Sequence, residues 1–202
     1  MKTIDKITFH PKEKSYDVIF KDGTTIPVEE DTLVQYNLYK GKEIEEQEIS
    51  QILNYNEFSQ GKEIALKYLV NRRTSREIKI KLQHEGISHE VIQNIIDKLI
   101  DLHLLNDHLY ASDFIKDKIH LKSDGPIKIK YLLEQKGIES SISDPLLEQI
   151  DEDVWLNMAK NILIKKFKER KSHNSKEYQK MFRYLYGKGY PTHIVYKVLK
   201  DE

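Results

Sequence analysis

The sequence predicts a mainly α protein: three tandem three-helix repeats in an elongated curved array, preceded by a small N-terminal β-meander with helices. Three observations predict it. A helix–glycine–helix pattern occurs three times in the 202 residues, at a period of about fifty, the mark of one supersecondary unit copied and stacked. From Lys62 onward the apolar residues recur at helical spacing. The first thirty residues instead alternate or run in β-forming side chains.

Taken in order, residues 4–9 and 16–20 read as strands, and Asp22-Gly23 is a hairpin signal leading into a third strand over 24–28. A ribbon that small is not stable alone. Residues 31–39 and 44–55, joined near Gly41, are the helices on which it is expected to pack. Beyond Lys62, Ile64, Ala65, Tyr68 and Leu69 make one helical face. Tyr110, Ala111, Phe114 and Ile115 make a second, and Trp155, Ala159, Ile162 and Ile164 with Phe167 a third. Each of these helices precedes one glycine-centred pair, which gives three helices per repeat and about nine in all.

The glycines are Gly86, Gly137 and Gly189. Aligned on them, Ile78, Ile129 and Met181 fall eight before; Leu82, Leu133 and Leu185 four before; Ile87, Ile138 and Tyr190 one after. A left-handed residue just past a helix places the leucine four before it against the apolar residue that follows. The glycine enters that backbone region without steric penalty. Gly86, Gly137 and Gly189 are therefore expected to be structural, each a helix stop with its own apolar clasp.

The middle helices also carry start signals. Thr74-x-x-Glu77 is a capping box, in which hydroxyl and carboxylate each satisfy an orphan backbone N–H. Gly125-Pro126 opens the second copy, with proline tolerated in the first turn. Asn174 or Ser175 is expected to open the third. Asp144-Pro145 falls inside the third helix of the second copy, and the expectation is a shortened helix with Asp144 as cap and Pro145 at its first position. The domain division that follows is a β-strand and helix extension over 1–60, then repeats over 61–105, 106–152 and 153–202.

Composition narrows the function classes. The chain has no cysteine, which excludes disulfides and thiolate chemistry and fits a reducing, cytoplasmic setting. No apolar run approaches membrane-spanning length, and no signal-peptide core follows residues 1–5. Net charge is zero but unevenly placed: residues 1–60 carry 7 basic and 12 acidic side chains, residues 154–202 carry 12 and 4. The basic end is the natural face for a phosphate-rich or acidic partner.

Catalytic signals are absent. Gly187-Lys188-Gly189 ends a helix instead of opening one, so it is not a phosphate loop. His84, His89, His103, His108 and His120 form no repeated ligand pair on one helical face, and Asp101, Asp107, Asp113 and Asp117 read as a solvated face with no nucleophile–base pair beside them. The chain is read as a non-enzyme needing no cofactor, metal or small-molecule substrate. The candidate partner-binding residues are basic: Arg72 and Arg73 where one helix gives way to the next, Lys128 and Lys130 in the second copy, Lys180 and Arg183 in the third. Tyr178, Tyr184, Tyr186, Tyr190 and Tyr196 crowd the last copy, a spacing that reads as core before it reads as a base-stacking platform.

Three blocks in order, Arg73-Thr74-x-x-Glu77-Ile78 with Lys81-Leu82, then Leu105-Asn106-Asp107-x-x-Tyr110-Ala111, then Gly125-Pro126 with Ile129, Leu133 and Lys136-Gly137-Ile138, resemble the bacterial RecX family of regulatory proteins. The resemblance covers residues 62–200, and the N-terminal strands are similar to the extension of Gram-positive members. It implies tandem three-helix repeats that bind the RecA recombinase filament on single-stranded DNA and restrain its strand exchange, ATPase and coprotease activities, with direct DNA contact as a second mode. The rival expectation is a stand-alone DNA-binding protein of helix-turn-helix type, since helix pairs around a glycine turn mimic that motif.

Overall fold

The structure, a computed structural model, describes residues 1–12, 14–167 and 175–200. It divides into two compact units, Met1–Arg73 with Ile78–Leu105 and Thr74–Glu77 with Asn106–Glu202.

In the first unit, β1 (Lys2–His10), β2 (Ser15–Phe20) and β3 (Thr25–Glu29) form the expected meander. A two-residue β4 (Glu43–Ile44) pairs with Lys2 and Thr3 and extends it to four strands in the order β3-β2-β1-β4. Two residues carry too little pattern to be read as a strand. The short helix α1 (Glu30–Gln35) follows β3 directly. Ile4, Val18, Phe20, Ile26, Val28, Leu38 and Ile44 close a buried core with Ile52.

Ile52 belongs to α2 (Glu46–Tyr68), which runs unbroken where two helices were expected. Gly61 explains the difference. A Cβ there would stand 2.5 Å from Ile95 Cδ1, so this glycine marks the close approach of another helix and not a break. Asn56, on the same helix, is buried and partnered at both ends of its amide: its Oδ1 accepts from the Glu29 N–H (2.7 Å) and the Thr32 hydroxyl (3.0 Å), and its Nδ2 donates to the Pro27 carbonyl (3.2 Å). One side chain thus pins the end of β3 and the start of α1 to α2. Further along, Ala65 packs with α3 (Ser75–His84) and α4 (His89–Asp101) around Ile78, Leu82, Ile92, Ile95 and Leu99.

The second unit holds α5 (Asp107–Asp117), α6 (Pro126–Gln135), α7 (Ser140–Glu148), α8 (Glu152–Phe167), α9 (Ser175–Gly187) and α10 (Thr192–Lys200). A π-helical turn at Lys118–Lys122 ends α5. With α2, α3 and α4 these make three helix triplets among the described residues. The last two triplets share one buried core, running from Ala111 and Ile129 through Trp155 and Met181 to Leu199. Asn174 lies outside the described residues. Pro145 sits inside α7 instead of starting it: Glu139 opens the helix, and the Asp144 carboxylate, instead of capping, takes Lys130 Nζ at 2.6 Å. Leu146 and Leu147 are thereby kept against the core, which offsets the one backbone hydrogen bond a proline forfeits.

Candidate functional site

The three glycines all take the left-handed conformation, with φ of 82° at Gly86, 80° at Gly137 and 85° at Gly189. Each stop closes with the same pair of bonds. Ile87 N–H donates to Leu82 O (3.1 Å) and Gly86 N–H to Gln83 O (3.1 Å). Ile138 donates to Leu133 O (3.0 Å) and Gly137 to Glu134 O (2.9 Å), and Tyr190 to Leu185 O (3.2 Å) and Gly189 to Tyr186 O (2.9 Å). Leu82, Leu133 and Leu185 are fully buried beneath them.

Within the second unit these stops do more than end helices. The Thr74 hydroxyl donates to the carbonyl of Lys136 (2.7 Å), and Lys136 Nζ reaches Glu77 Oε1 (2.7 Å). The same Thr74 oxygen accepts from the Glu77 N–H (3.2 Å) while the Thr74 N–H donates to Glu77 Oε2 (3.2 Å), closing the capping box. Twelve residues before the next glycine, at the position equivalent to Thr74, the Gly125 N–H donates to the carbonyl of Lys188 (2.8 Å) and Ile127 N–H to that of Gly189 (3.1 Å). In both places the carboxyl end of one middle helix, rich in unpaired carbonyls, docks on the amino end of the preceding one, rich in unpaired N–H groups. The joint is tight. A Cβ on Gly125 would meet the Gly189 carbonyl at 2.5 Å, and one on Gly189 would meet the Lys128 backbone nitrogen at 2.5 Å.

Sequence reasoning did not find the partners in this joint. Asp107 accepts from the Ser75 N–H (2.9 Å), so it finishes the start of α3 and is not merely solvated. Asn106 caps α5 through the Leu109 N–H (2.8 Å). Asp124 is only 3% exposed and holds Lys128 Nζ at 2.9 Å and Lys188 Nζ at 3.5 Å. Lys136 and Lys188 both stand one before the glycine, a repetition that could have flagged them.

The six basic residues fall into two groups. Three are engaged inside the fold. Lys128 neutralises Asp124; Lys130 is bound by Asp144, whose hydrogen bond pushes the ammonium above its ordinary range; and Arg73 lays its guanidinium 4.2 Å from the Tyr68 ring centre, its Nε buried with no hydrogen-bond partner. Arg72, Lys180 and Arg183 are exposed. Counted from the glycines, Lys128 and Lys180 share a position, nine before, whereas Lys130 stands seven before and Arg183 six before. They do not form a strictly repeated ridge. The exposed face that does recur lies ten, six and three before each glycine: Arg76, Ile80 and Gln83; Ile127, Tyr131 and Glu134; Gln179, Arg183 and Tyr186.

Among the described residues no cluster of three or more histidines or carboxylates is placed to hold a metal ion, and no helix is long and apolar enough to cross a membrane. The geometry defines a class first: a helical repeat protein in which each middle helix ends at a left-handed glycine closed by the same pair of backbone bonds and exposes the same three positions. Residues 152–199 match the model of the RecX third three-helix domain. The chain is 36% identical over 167 residues to the regulatory protein RecX of Streptococcus sanguinis, covering 82% of this chain and 65% of that one. It is 30% identical over 204 residues to that of Limosilactobacillus reuteri, covering all of this chain and 77% of the relative. A crystal structure of a regulatory protein RecX superposes with a TM-score of 0.78 at 31% identity over the whole of both chains. The chain belongs to the RecX family of regulatory proteins.

Proposed function

We propose that this protein binds the nucleoprotein filament that the RecA recombinase forms on single-stranded DNA and restrains its recombinase, ATPase and coprotease activities, by lying in the filament groove or blocking its extension. The observation that carries the reading is the repetition of one joint and one exposed face at fixed offsets from Gly137 and Gly189. A filament offers the same site again and again, and a protein built of like units meets it with several weak contacts whose linkage raises affinity through effective concentration. No deep pocket or catalytic constellation is needed. The family's regulatory name agrees with this.

Of the six basic residues, the exposed Arg72, Lys180 and Arg183 are the best placed contacts; Lys128 and Lys130 act first on their own carboxylates. Co-sedimentation with preassembled recombinase filaments tests the reading. The chain should pellet with filaments at salt concentrations where it no longer pellets with free DNA, and Arg72→Ala with Lys180→Ala and Arg183→Ala should weaken pelleting at unchanged helical content. Pelleting that tracks DNA alone, with or without recombinase, would favour a stand-alone DNA-binding protein instead.

A further inference from the structure

The five tyrosines of the last repeat are not equivalent. Tyr190 is fully buried. Tyr184 packs edge-on to Phe167 at 5.9 Å, with Lys166 over its face at 3.8 Å. Tyr186 and Tyr196, by contrast, are 59% and 46% exposed. They flank Phe182: the Phe182 and Tyr186 rings lie nearly parallel, 12° apart with centres 6.1 Å apart, and Tyr196 comes to 5.5 Å of Phe182 from the neighbouring helix. Two exposed rings with the half-buried Phe182 between them thus form one aromatic shelf on α9 and α10.

Beside it lies a shallow depression of about 350 Å³, lined by Tyr178, Gln179, Phe182, Arg183 and Tyr196. Arg183 Nε donates to the Gln179 carbonyl (3.2 Å), which ties the guanidinium to the rim. Lys180 stands on α9 three residues before Arg183, and Lys200 on α10 four after Tyr196, both exposed. Along α9 and α10 the exposed cations nearest the rings are Lys180, Arg183 and Lys200, while Lys197 is held by Glu152 of α8.

We infer that this shelf is a stacking site for unpaired nucleobases. Flat, solvent-facing rings bordered by cations of one sign are what single-stranded nucleic acid requires: the π-faces take the bases whatever their identity, and the cations take the backbone phosphates. A duplex hides its base faces and gains only from the charges. An apolar protein surface would use the rings but not the excess of positive charge, and an acidic one would use the charge without needing open ring faces. The inference shares Lys180 and Arg183 with the recombinase reading but does not rest on it, because its rings contact nucleic acid itself.

The test is fluorescence anisotropy of the full chain with a labelled oligo(dT) strand and with a hairpin duplex closed by a non-nucleotide linker and of equal phosphate number, without recombinase. The single strand should bind more tightly than the hairpin. Tyr186→Ala with Tyr196→Ala should weaken single-strand binding by roughly tenfold or more, the range expected for losing one or two stacked bases, and leave hairpin binding unchanged. Tyr186→Phe with Tyr196→Phe, which keeps the rings, should stay near the parent. Arg183→Gln should lower the slope of log affinity on log salt by about 1. Tyr186→Trp supplies a readout that does not depend on deleting a ring: its emission should be quenched by oligo(dT) and not by the hairpin. Equal loss on strand and hairpin, no loss on either, no binding of oligo(dT) by the parent, or an unquenched Trp would overturn the assignment. If ring deletion spares DNA binding but weakens recombinase inhibition, the shelf is a protein contact and the inference is wrong.

Discussion

Tyr190 shows how one side chain adapts a repeated motif. In the other copies its position is Ile87 or Ile138, which serve only as the apolar half of the clasp. The larger phenol fills the shared core and reaches out of it, donating to the Ser123 carbonyl at 3.1 Å. Burial first, and the Asp124 carboxylate second, push its ionisation well above the ordinary tyrosine range. The folded state therefore keeps the proton where the unfolded chain begins to lose it, at about pH 10. The stabilisation tied to the neutral phenol is fully present below about pH 10 and declines as pH rises beyond it. Tyr190→Phe should cost about 1 kcal/mol at neutral pH through the lost hydrogen bond, and the gap between variant and parent should shrink above about pH 10. Urea midpoints measured at both pH values check this; a gap constant across them would contradict it. At this scale the sequence was partly legible. The apolar character of position 190 followed from alignment on the glycine, but the hydroxyl's partner, 67 residues away, did not, because no local rule names a tertiary acceptor. For the same reason the sequence alone does not show that Lys128 and Lys130 are bound by Asp124 and Asp144.

Elements were legible where a backbone rule is local. The glycine stops are such a rule, because the left-handed residue, the leucine four before it and the apolar residue after it all lie within six positions. So is the Thr74–Glu77 capping box. Elements became illegible where tertiary packing overrides a local signal. The apolar pattern suggests separate helices over 44–55 and from Lys62, yet α2 runs through both, and its Gly61 is needed because Ile95 occupies the space a side chain would take. Pro145 should end or start a helix, yet α7 encloses it. The glycines allow a graded test. A Cβ on Gly86 would meet nothing within 4 Å, one on Gly137 would meet the Arg76 side chain, with its Cβ at 2.5 Å, and one on Gly189 would meet the backbone of Lys128. Gly86→Ala should therefore cost only the left-handed penalty, about 1–2 kcal/mol. Gly137→Ala should cost more, and Gly189→Ala most, since a backbone cannot swing aside as a side chain does. Chemical denaturation of the three variants gives the order, and equal losses would show that the joint is looser than its geometry.

For the molecule as a whole, the period of about fifty residues was readable because each copy must stop a helix in the same way. What the period could not disclose is that the second and third triplets share one core, or that middle helices join end to end through Thr74 with Lys136 and Gly125 with Lys188. The joints pair residues far apart in the chain, 62 positions for Thr74 and Lys136, which no local rule links. On the proposed function, like exposed positions in each copy suit a target that repeats. The basic end, 12 cations to 4 carboxylates over residues 154–202, suits the phosphate-rich filament of the proposed function. The most direct measurement is the rate of ATP hydrolysis by recombinase on long single-stranded DNA, titrated with this protein. Binding to a filament predicts inhibition at amounts well below those that coat the DNA, weakened by Arg72→Ala with Lys180→Ala and Arg183→Ala. A rate unchanged by the protein, or lowered only when the DNA itself is saturated, would contradict it.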